Sequence, residues 1–274
     1  MKIFRLIIIV IFLLNVGTST AQIYGCKDPL ANNFNSSATH NDGSCTYNPV
    51  SISTAESFNL AGNLLETSGL IAWNNYIWTH NDSDDLNIYK LDTLNGNIIQ
   101  SIPLSGVTNT DWEEISQDHD FVYVGDFGNN QSGNRTDLKI LRIDKNSILA
   151  GSPLIEIINF SYSNQTSFTS AGSNNTDFDC EAFIVSADSI FLFTKQWISQ
   201  KTSVYSLPKT PGSHIANLKS TFDVQGLITG ATYLETKKLI VLSGYTKELQ
   251  PFVELLYDFD GYSFFSGNKR KIQL

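Results

Sequence analysis

The amino-acid sequence predicts an all-β protein, a β-propeller of four-stranded blades, and two observations carry that prediction. From residue 51 onward, short runs rich in Ile, Val, Tyr, Phe, Leu and Thr alternate with turns rich in Asn, Asp, Gly and Ser, almost without helical periodicity. The runs fall into four units of four, and a four-strand repeat with variable loops is typical of propeller blades. A β-sandwich, the competing all-β fold, does not predict such a repeat.

Each unit supplies four strand-like segments in the same order. The first reads SGLIAW, YIWTHND, NIYKLDT and NIIQSIPL, and the second reads DWEEIS, FVYVGDFGNN, LKILRID and IEIINFSY. The third reads DCEAFIV, IFLFTKQW, TSVYSLP and ANLKSTFDV, and the fourth reads TGATYL, KLIVLSGYT, FVELLYDFDG and YSFFSGNKRKIQL. The third segment carries a tyrosine in three of the four units (Tyr89, Tyr205 and Tyr257), which supports this alignment.

Four blades are at the low end of the roughly four to eight that propellers contain. Residues 55–60 (AESFNL) are expected to form an outer strand that completes another blade, and Leu274 stands where a fifth inner strand would follow. A five-bladed ring truncated at the C-terminus is therefore the alternative to four blades.

Residues 1–21 have the features of a signal peptide. Lys2 and Arg5 precede an apolar run over residues 6–14, and a short polar stretch of small residues follows. The apolar run is about half the ~20 residues of a transmembrane helix, so no membrane span is predicted. The expected location is extracellular or at the cell surface, with the periplasm as an alternative. Acylation at Cys26 is a less favoured alternative, because the preceding IYG is a poor fit to a lipoprotein signal.

The charge balance excludes some partners. The chain has a net charge of −9, which becomes −11 when the two cations of the signal peptide are removed. Nucleic acids and anionic lipids attract basic surfaces, so neither is an expected partner. Cations are compatible with this charge.

Residues 22–50 are predicted to be a small module tied by a disulfide. The segment is too poor in apolar residues to bury a core, and in a secreted protein the close pair Cys26 and Cys45 should be oxidised. Cys180 is left single, at an expected buried strand position. The stretch YGCKDPLANNFNSSATHNDGSCTY resembles a module of secreted Bacteroidetes proteins, GC-x-D…DDGSC, related to thrombospondin type 3 repeats. Asn41 replaces the first Asp of its DDG, so a spacer is favoured over a calcium site.

Acidic residues begin the first strand of two units. In a blade, the first strand starts and the second strand ends at the same mouth of the central channel, so these acids should converge. Side chains alternate along a strand, which places Asp111 with Glu113 and Asp179 with Glu181. Clustered carboxylates raise each other's pKa values unless a cation compensates, and hard divalent cations prefer oxygen ligands. The sequence assigns Ca²⁺ or another divalent cation to Asp111, Asp126 and Asp179.

Other polar residues of this mouth are candidates for chemistry or ligand contact. Capping of turns by acidic residues and a hydrogen-bonded core histidine are the competing interpretations, so convergence in two blades carries the prediction. No G-x-S-x-G or H-E-x-x-H motif is present, which leaves covalent hydrolase and zinc-protease mechanisms without sequence support. The catalytic candidates are His80, Glu113 and Glu181, and the ligand-binding candidates are Asn81, Asp82, Asn129 and Lys195.

The order SGL…WTHNDS…IYKLDT…DWEEI…YVGDFGNN…DCEA…LFTK…VYSLPKTPG…LITGATY resembles a family of secreted bacterial β-propellers. This family is similar to the phytase-like or esterase-like propellers and the SMP-30/gluconolactonase-type propellers, and the resemblance covers residues 55–270. It implies a divalent cation on axial Glu, Asn and Asp residues, and a further blade with a T-E-G-I-type inner strand that this sequence lacks.

Two functions follow as hypotheses. The favoured one is a secreted or cell-surface binding module, a monomer whose acidic mouth holds a cation or a polar ligand. The expected partner is a small polar ligand or a cell-surface component. The alternative is a metal-dependent hydrolase of lactones or phosphoesters, in which the cation activates water and Asp, Glu or His80 is the base.

Overall fold

A computed structural model describes residues 21–274, and it confirms the β-propeller of four-stranded blades. Residues 1–20, with nearly all of the expected signal peptide, lie outside the described part. Within residues 21–274, no helix has both the length and the apolar character needed to cross a membrane. The strands are β1 (Tyr24–Gly25), β2 (His40–Asn41), β3 (Thr67–Trp73), β4 (Tyr76–Asn81), β5 (Asn87–Leu91), β6 (Ile98–Pro103), β7 (Trp112–Gln117), β8 (Phe121–Asp126), β9 (Lys139–Asp144), β10 (Ile155–Tyr162), β11 (Asp179–Val185), β12 (Ser189–Lys195), β13 (Thr202–Pro208), β14 (Gly212–Phe222), β15 (Leu227–Leu234), β16 (Leu239–Tyr245), β17 (Pro251–Tyr257) and β18 (Asn268–Gln273).

Each blade is an antiparallel meander that starts at the channel. Blade 1 is β3–β6, blade 2 is β7–β10, blade 3 is β11–β14 and blade 4 is β15–β18. Apolar side chains fill the spaces between consecutive blades, with Trp112 between blades 1 and 2, Phe183 between blades 2 and 3, and Phe252 between blades 3 and 4. Strand alternation explains this packing, because each blade buries apolar residues on both of its faces.

Blades 2 and 3 are joined at their outer edges. Their last strands, β10 and β14, pair in parallel from Ile158 opposite Gly212 to Tyr162 opposite Ala216. The two blades therefore form one continuous eight-stranded sheet, which the sequence did not predict. A short helix, α1 (Lys145–Leu149), connects β9 to β10 and is capped by the Asp144 side chain.

Residues 55–60 differ from the expectation, because they form no strand. An earlier segment adds to the outer edge of blade 4 instead: the Ile52 amide donates to the Gln273 carbonyl at 2.9 Å, and the Gln273 amide donates to the Val50 carbonyl at 2.9 Å.

All four inner strands share one irregularity. Each has a β-bulge near its start, where one residue has no partner on the neighbouring strand. A bulge re-aims side chains and interrupts simple alternation. The unpaired residues occupy equivalent positions in the four blades and are Gly69, Glu113, Glu181 and Thr229.

The small N-terminal module packs against blade 4. Cys26 and Cys45 are disulfide-bonded. The Asp28 carboxylate accepts hydrogen bonds from the Tyr257 hydroxyl at 2.6 Å and the Tyr47 hydroxyl at 2.8 Å, and these contacts lower its pKa against the opposing effect of burial. Tyr257 belongs to β17, so this cluster connects the module directly to the propeller.

Candidate functional site: an acidic centre on the propeller axis

Four carboxylates meet where β7 and β11 begin, and Asp111, Glu113, Asp179 and Glu181 are called the acidic centre below. Glu113, Asp179 and Glu181 are buried, and each offers a carboxylate oxygen within 4.8 Å of the other two. Asp111 is half-buried at the rim. The β-bulges at Glu113 and Glu181 position two of these side chains at the axis.

Gly128 makes room for the blade 2 half of the acidic centre. A Cβ at this position would lie 2.3 Å from Asp111 Oδ2 and 2.3 Å from Glu113 Oε1. Only a residue without a side chain permits this approach, which explains one glycine of the GDFGNN segment.

Asp179 is held by two donors. The Asn129 amide donates to Oδ1 at 2.7 Å, and the Trp197 indole Nε1 donates to Oδ2 at 2.7 Å. Burial raises the pKa of Asp179, and the Asn129 hydrogen bond opposes that rise. The remaining lone pairs are free to face a cation.

Glu181 is paired with the cation Lys195. Its Oε1 lies 2.5 Å from Lys195 Nζ, and that ammonium also lies 4.4 Å from the centre of the Trp197 ring. Burial raises the pKa of Glu181 although Lys195 opposes the rise. Burial alone would lower the pKa of Lys195, but the charge of Glu181 more than offsets it.

Within residues 21–274, Glu113 is the member of the centre that has no amide or basic donor, and the neighbouring carboxyl of Asp111 is its side-chain hydrogen-bond partner. The Glu113 side chain is buried, and no amide or basic group among the described residues donates a hydrogen bond to its carboxylate. Burial raises its pKa strongly, and the charges of Glu181, Asp111 and Asp179 raise it further. Burial and Asp179 raise the pKa of Asp111 to about 6. Without an added cation, Glu113 therefore holds a proton at neutral pH, whereas Asp111 is mostly ionised.

Asp126 and Asn129 lie near the centre but are engaged elsewhere. The two Asp126 oxygens pair with Arg135 Nη2 and Lys139 Nζ, each at 2.8 Å. The Asn129 side chain donates to the Phe178 carbonyl and accepts from the Arg135 amide, so it is the Asn129 backbone that contacts Asp179.

Of the blade 1 candidates, only Asp82 adjoins the acidic centre: its carbonyl accepts a hydrogen bond from the Trp112 amide at 2.7 Å, and its charge raises the pKa of Asp111. His80 is fully buried, its ring lies edge-on to Trp112 at 5.8 Å, and burial lowers its pKa to about 4. The Asn81 side chain donates to the Asn63 carbonyl and to Asp85. Asp82 is half-exposed, and burial raises its pKa.

Glu114 is an axial carboxylate that the alternation argument missed. It follows the bulge and points toward blade 4, where its Oε2 accepts a hydrogen bond from the Ala231 amide at 3.0 Å. It lines a cavity of ≈ 350 Å³ between β3 and β15. The sequence signal was the EE pair itself, but alternation assigned its second member to the opposite face.

Glu114 should make the metal-free protein less stable as pH rises. Burial raises its pKa from 4.5 to about 8, so the folded state binds more protons than the unfolded state within that window. His80 acts in the opposite direction below pH 6.5, so the decline should be clearest from pH 6.5 to 8. In urea unfolding with a chelator, Glu114→Gln should reduce this slope by up to ~1.4 kcal/mol per pH unit. The exposed control Glu248→Gln should not, and an unchanged slope in Glu114→Gln would contradict the assignment.

No protein-family model matches the chain, and no curated protein matches it. Similar solved structures include a β-xylosidase with 15% identity and a TM-score of 0.44, covering 73% of this chain and 71% of that one. A 6-phosphogluconolactonase-like protein from Bacteroides uniformis has 13% identity and a TM-score of 0.38, covering 80% and 57%. Apo AztD from Citrobacter koseri has 10% identity and a TM-score of 0.38, covering 76% and 62%. These similarities are too distant to carry a functional argument.

Proposed function

We propose that the protein is a secreted or cell-surface propeller whose acidic centre binds a divalent cation and, through it, a polar ligand. One observation carries the proposal: three buried carboxylates, those of Glu113, Asp179 and Glu181, each offer an oxygen within 4.8 Å of the other two, and no amide or basic group among the described residues donates to Glu113. A buried carboxylate is costly unless it is protonated, paired or bound to a metal. A cation would replace the protons that the centre otherwise holds.

Glu113, Asp179 and Glu181 are the proposed ligands, with Asp111 at the rim. Asp126 is left out of this set because Arg135 and Lys139 already occupy both of its oxygens. Ca²⁺ is the favoured ion, since it accepts several carboxylate oxygens in irregular geometry, whereas Mg²⁺ demands near-octahedral coordination.

Lys195 is an internal counter-ion in this proposal. It pairs directly with Glu181 on the Trp197 side of the centre, and its charge offsets only part of the rise in the pKa of Glu113. Positive charge is therefore still lacking beside Glu113, on the blade 2 side of the axis. Asp111 is half-buried there, so an ion or its ligand could approach from solvent.

Thermal unfolding with EDTA and then with CaCl₂ tests the cation. Saturation at about 100 times the dissociation constant would stabilise the protein by ~2.7 kcal/mol and raise its melting temperature. Glu113→Gln should abolish the shift. Glu254→Gln is a matched control, because Glu254 is also a buried glutamate whose pKa burial raises, to about 7, but it lies on β17 outside the centre. Equal melting temperatures with EDTA and with calcium, or a full shift in Glu113→Gln, would refute the site.

Secretion is part of the same proposal. The disulfide in the N-terminal module fits an oxidising compartment. We assign residues 1–21 as a signal peptide, 22–50 as the small module and 51–274 as the propeller, and we expect a monomer. Sequencing the N-terminus of the exported protein would test the cut, and a first residue other than Gln22 would refute it.

Metal-dependent hydrolysis is the second candidate, and Asp111 is the observation that favours it. This half-buried carboxyl has a pKa raised to about 6 and adjoins the proposed ion, as a general base requires. His80 is less suitable because it is fully buried. Lactones and phosphoesters assayed on the calcium-loaded protein and on Asp111→Asn decide the matter: activity that survives the substitution excludes Asp111 as the base.

A further inference from the structure

A second cavity lies at the outer part of the interface between blades 3 and 4. It has a volume of ≈ 600 Å³ and is bounded by β12, β13 and β14 of blade 3 and by residues 262–266, which precede β18. Ser189, which lines it, starts β12, and Lys195, the ion-pair partner of Glu181, ends the same strand. Six residues of strand span roughly 20 Å, so the two places are distinct.

Serines replace apolar residues on the blade 3 wall of this cavity. Ser189 lies on the same face of β12 as Phe191 and Phe193, which pack against blade 4. Ser206 on β13 is paired with Phe191, and Ser220 on β14 is paired with Val204 of β13, so both serines lie on this same face of the sheet. A protein-filled interface would need apolar side chains here, as it has further along the same strands. The serines therefore line a part of the interface that side chains of blades 3 and 4 do not fill.

The serine hydroxyls are free to bind a ligand. Within residues 21–274, those of Ser189, Ser206 and Ser220 form no hydrogen bond to another protein group. Each hydroxyl can donate one bond and accept two, so three unpaired hydroxyls in one cavity favour a ligand that itself carries many hydroxyls.

Aromatic rings complete the opposite wall. Tyr262 is 41% exposed, and its ring lies 4.9 Å from that of Phe191. Phe265 is half-buried and lies 5.4 Å from Phe222. Rings fixed by neighbouring rings present a flat apolar surface at low entropic cost, which suits the C–H face of a pyranose.

The only charge on the cavity wall, within the described residues, is positive. Lys219 is exposed at the rim and forms no ion pair with another described residue, and the lining includes no acidic side chain. In a protein of net charge −9 such a place favours an anionic substituent on the ligand.

We propose that this cavity binds a short acidic saccharide. Its rings stack on Tyr262 and Phe265, its hydroxyls bond to the three serines, and its carboxylate pairs with Lys219. A cavity of ≈ 600 Å³ lies within the ~300–1,000 Å³ of small-molecule sites.

Calorimetric titration with digalacturonic acid, and with digalactose as its neutral counterpart, tests the proposal. We expect the acidic disaccharide to bind at least ~10-fold more tightly, a difference of ~1.4 kcal/mol. Tyr262→Ala should weaken both ligands about 10-fold, and Lys219→Met should remove the preference for the acidic one. Tyr24→Ala replaces a tyrosine that is 61% exposed in the N-terminal module and is the matched control.

Two results would overturn the saccharide site. The first is that neither disaccharide binds. The second is that both bind and that Tyr262→Ala leaves their affinities unchanged. Glu113→Gln should bind digalacturonic acid normally, so failure of the cation site and failure of this cavity are distinguishable. Melting temperatures of both variants confirm folding: little change is expected for the exposed Lys219→Met, and a small decrease for Tyr262→Ala, which loses its packing on Phe191.

Discussion

Lys195→Met is expected to destabilise the metal-free protein by about 3–5 kcal/mol, the cost of removing one partner of a buried ion pair. Lys195 Nζ and Glu181 Oε1 are 2.5 Å apart, and both side chains are almost fully buried. Replacing Lys195 leaves the four carboxyl groups of the acidic centre without their nearest ammonium group. The loss should grow as pH rises, because the uncompensated carboxyls ionise. Urea unfolding of both proteins at two pH values measures it.

Calcium should restore much of that loss if the acidic centre binds a cation, because the ion then supplies the missing positive charge. Lys209→Met is the matched control: it breaks the 2.8 Å pair with Asp118, which is more exposed and outside the centre. Its cost should be nearer ~1 kcal/mol and independent of calcium. Equal losses in the two variants would contradict the role given to Lys195.

Removal of the Cys26–Cys45 disulfide is expected to lower the stability of the whole propeller. Closing a loop over a separation of 19 residues contributes about 3 kcal/mol in the chain-entropy model. The module contacts blade 4 through Asp28, Tyr47 and Tyr257, so its disorder should be felt there. A Cys26→Ser/Cys45→Ser variant should melt several degrees lower in the main calorimetric transition.

If the main transition is unchanged and the module unfolds on its own, the module is instead an independent spacer, the function favoured from sequence alone.

Tyr257→Phe distinguishes the contact between module and blade 4 from the effect of the disulfide. It keeps the disulfide but removes the hydroxyl that donates to Asp28 at 2.6 Å, and should cost about 1.5–3 kcal/mol. A reductant should lower the melting temperature of the parent protein but not that of the Cys26→Ser/Cys45→Ser variant.

Local pattern was sufficient to predict the blades. Alternating apolar residues and turn formers define strands of period two, and their repetition in four units defines the propeller. The edge pairing of β10 with β14 was not predictable in this way, because it depends on how two outer strands meet in space.

The acidic centre was predictable only in outline. Acidic strand starts in two units indicated that carboxylates would converge, but a bulge at Glu113 shifts the alternation and turns Glu114 toward blade 4. Arg135, in the loop after β8, and Lys139, at the start of β9, both pair with Asp126. No spacing in the sequence reveals such a contact.

The parallel pairing of β10 with β14 fixes the aperture of the acidic centre. Asp111 and Glu113 belong to blade 2, and Asp179 and Glu181 belong to blade 3, so every member lies on one hydrogen-bonded sheet that is closed at its far rim. Separate blades could move apart about the axis, whereas these two are held together by hydrogen bonds at their outer edges. The distance between the carboxylates of blade 2 and those of blade 3 is therefore fixed by the two blades, and an ion bound between them would need a radius that fits that distance.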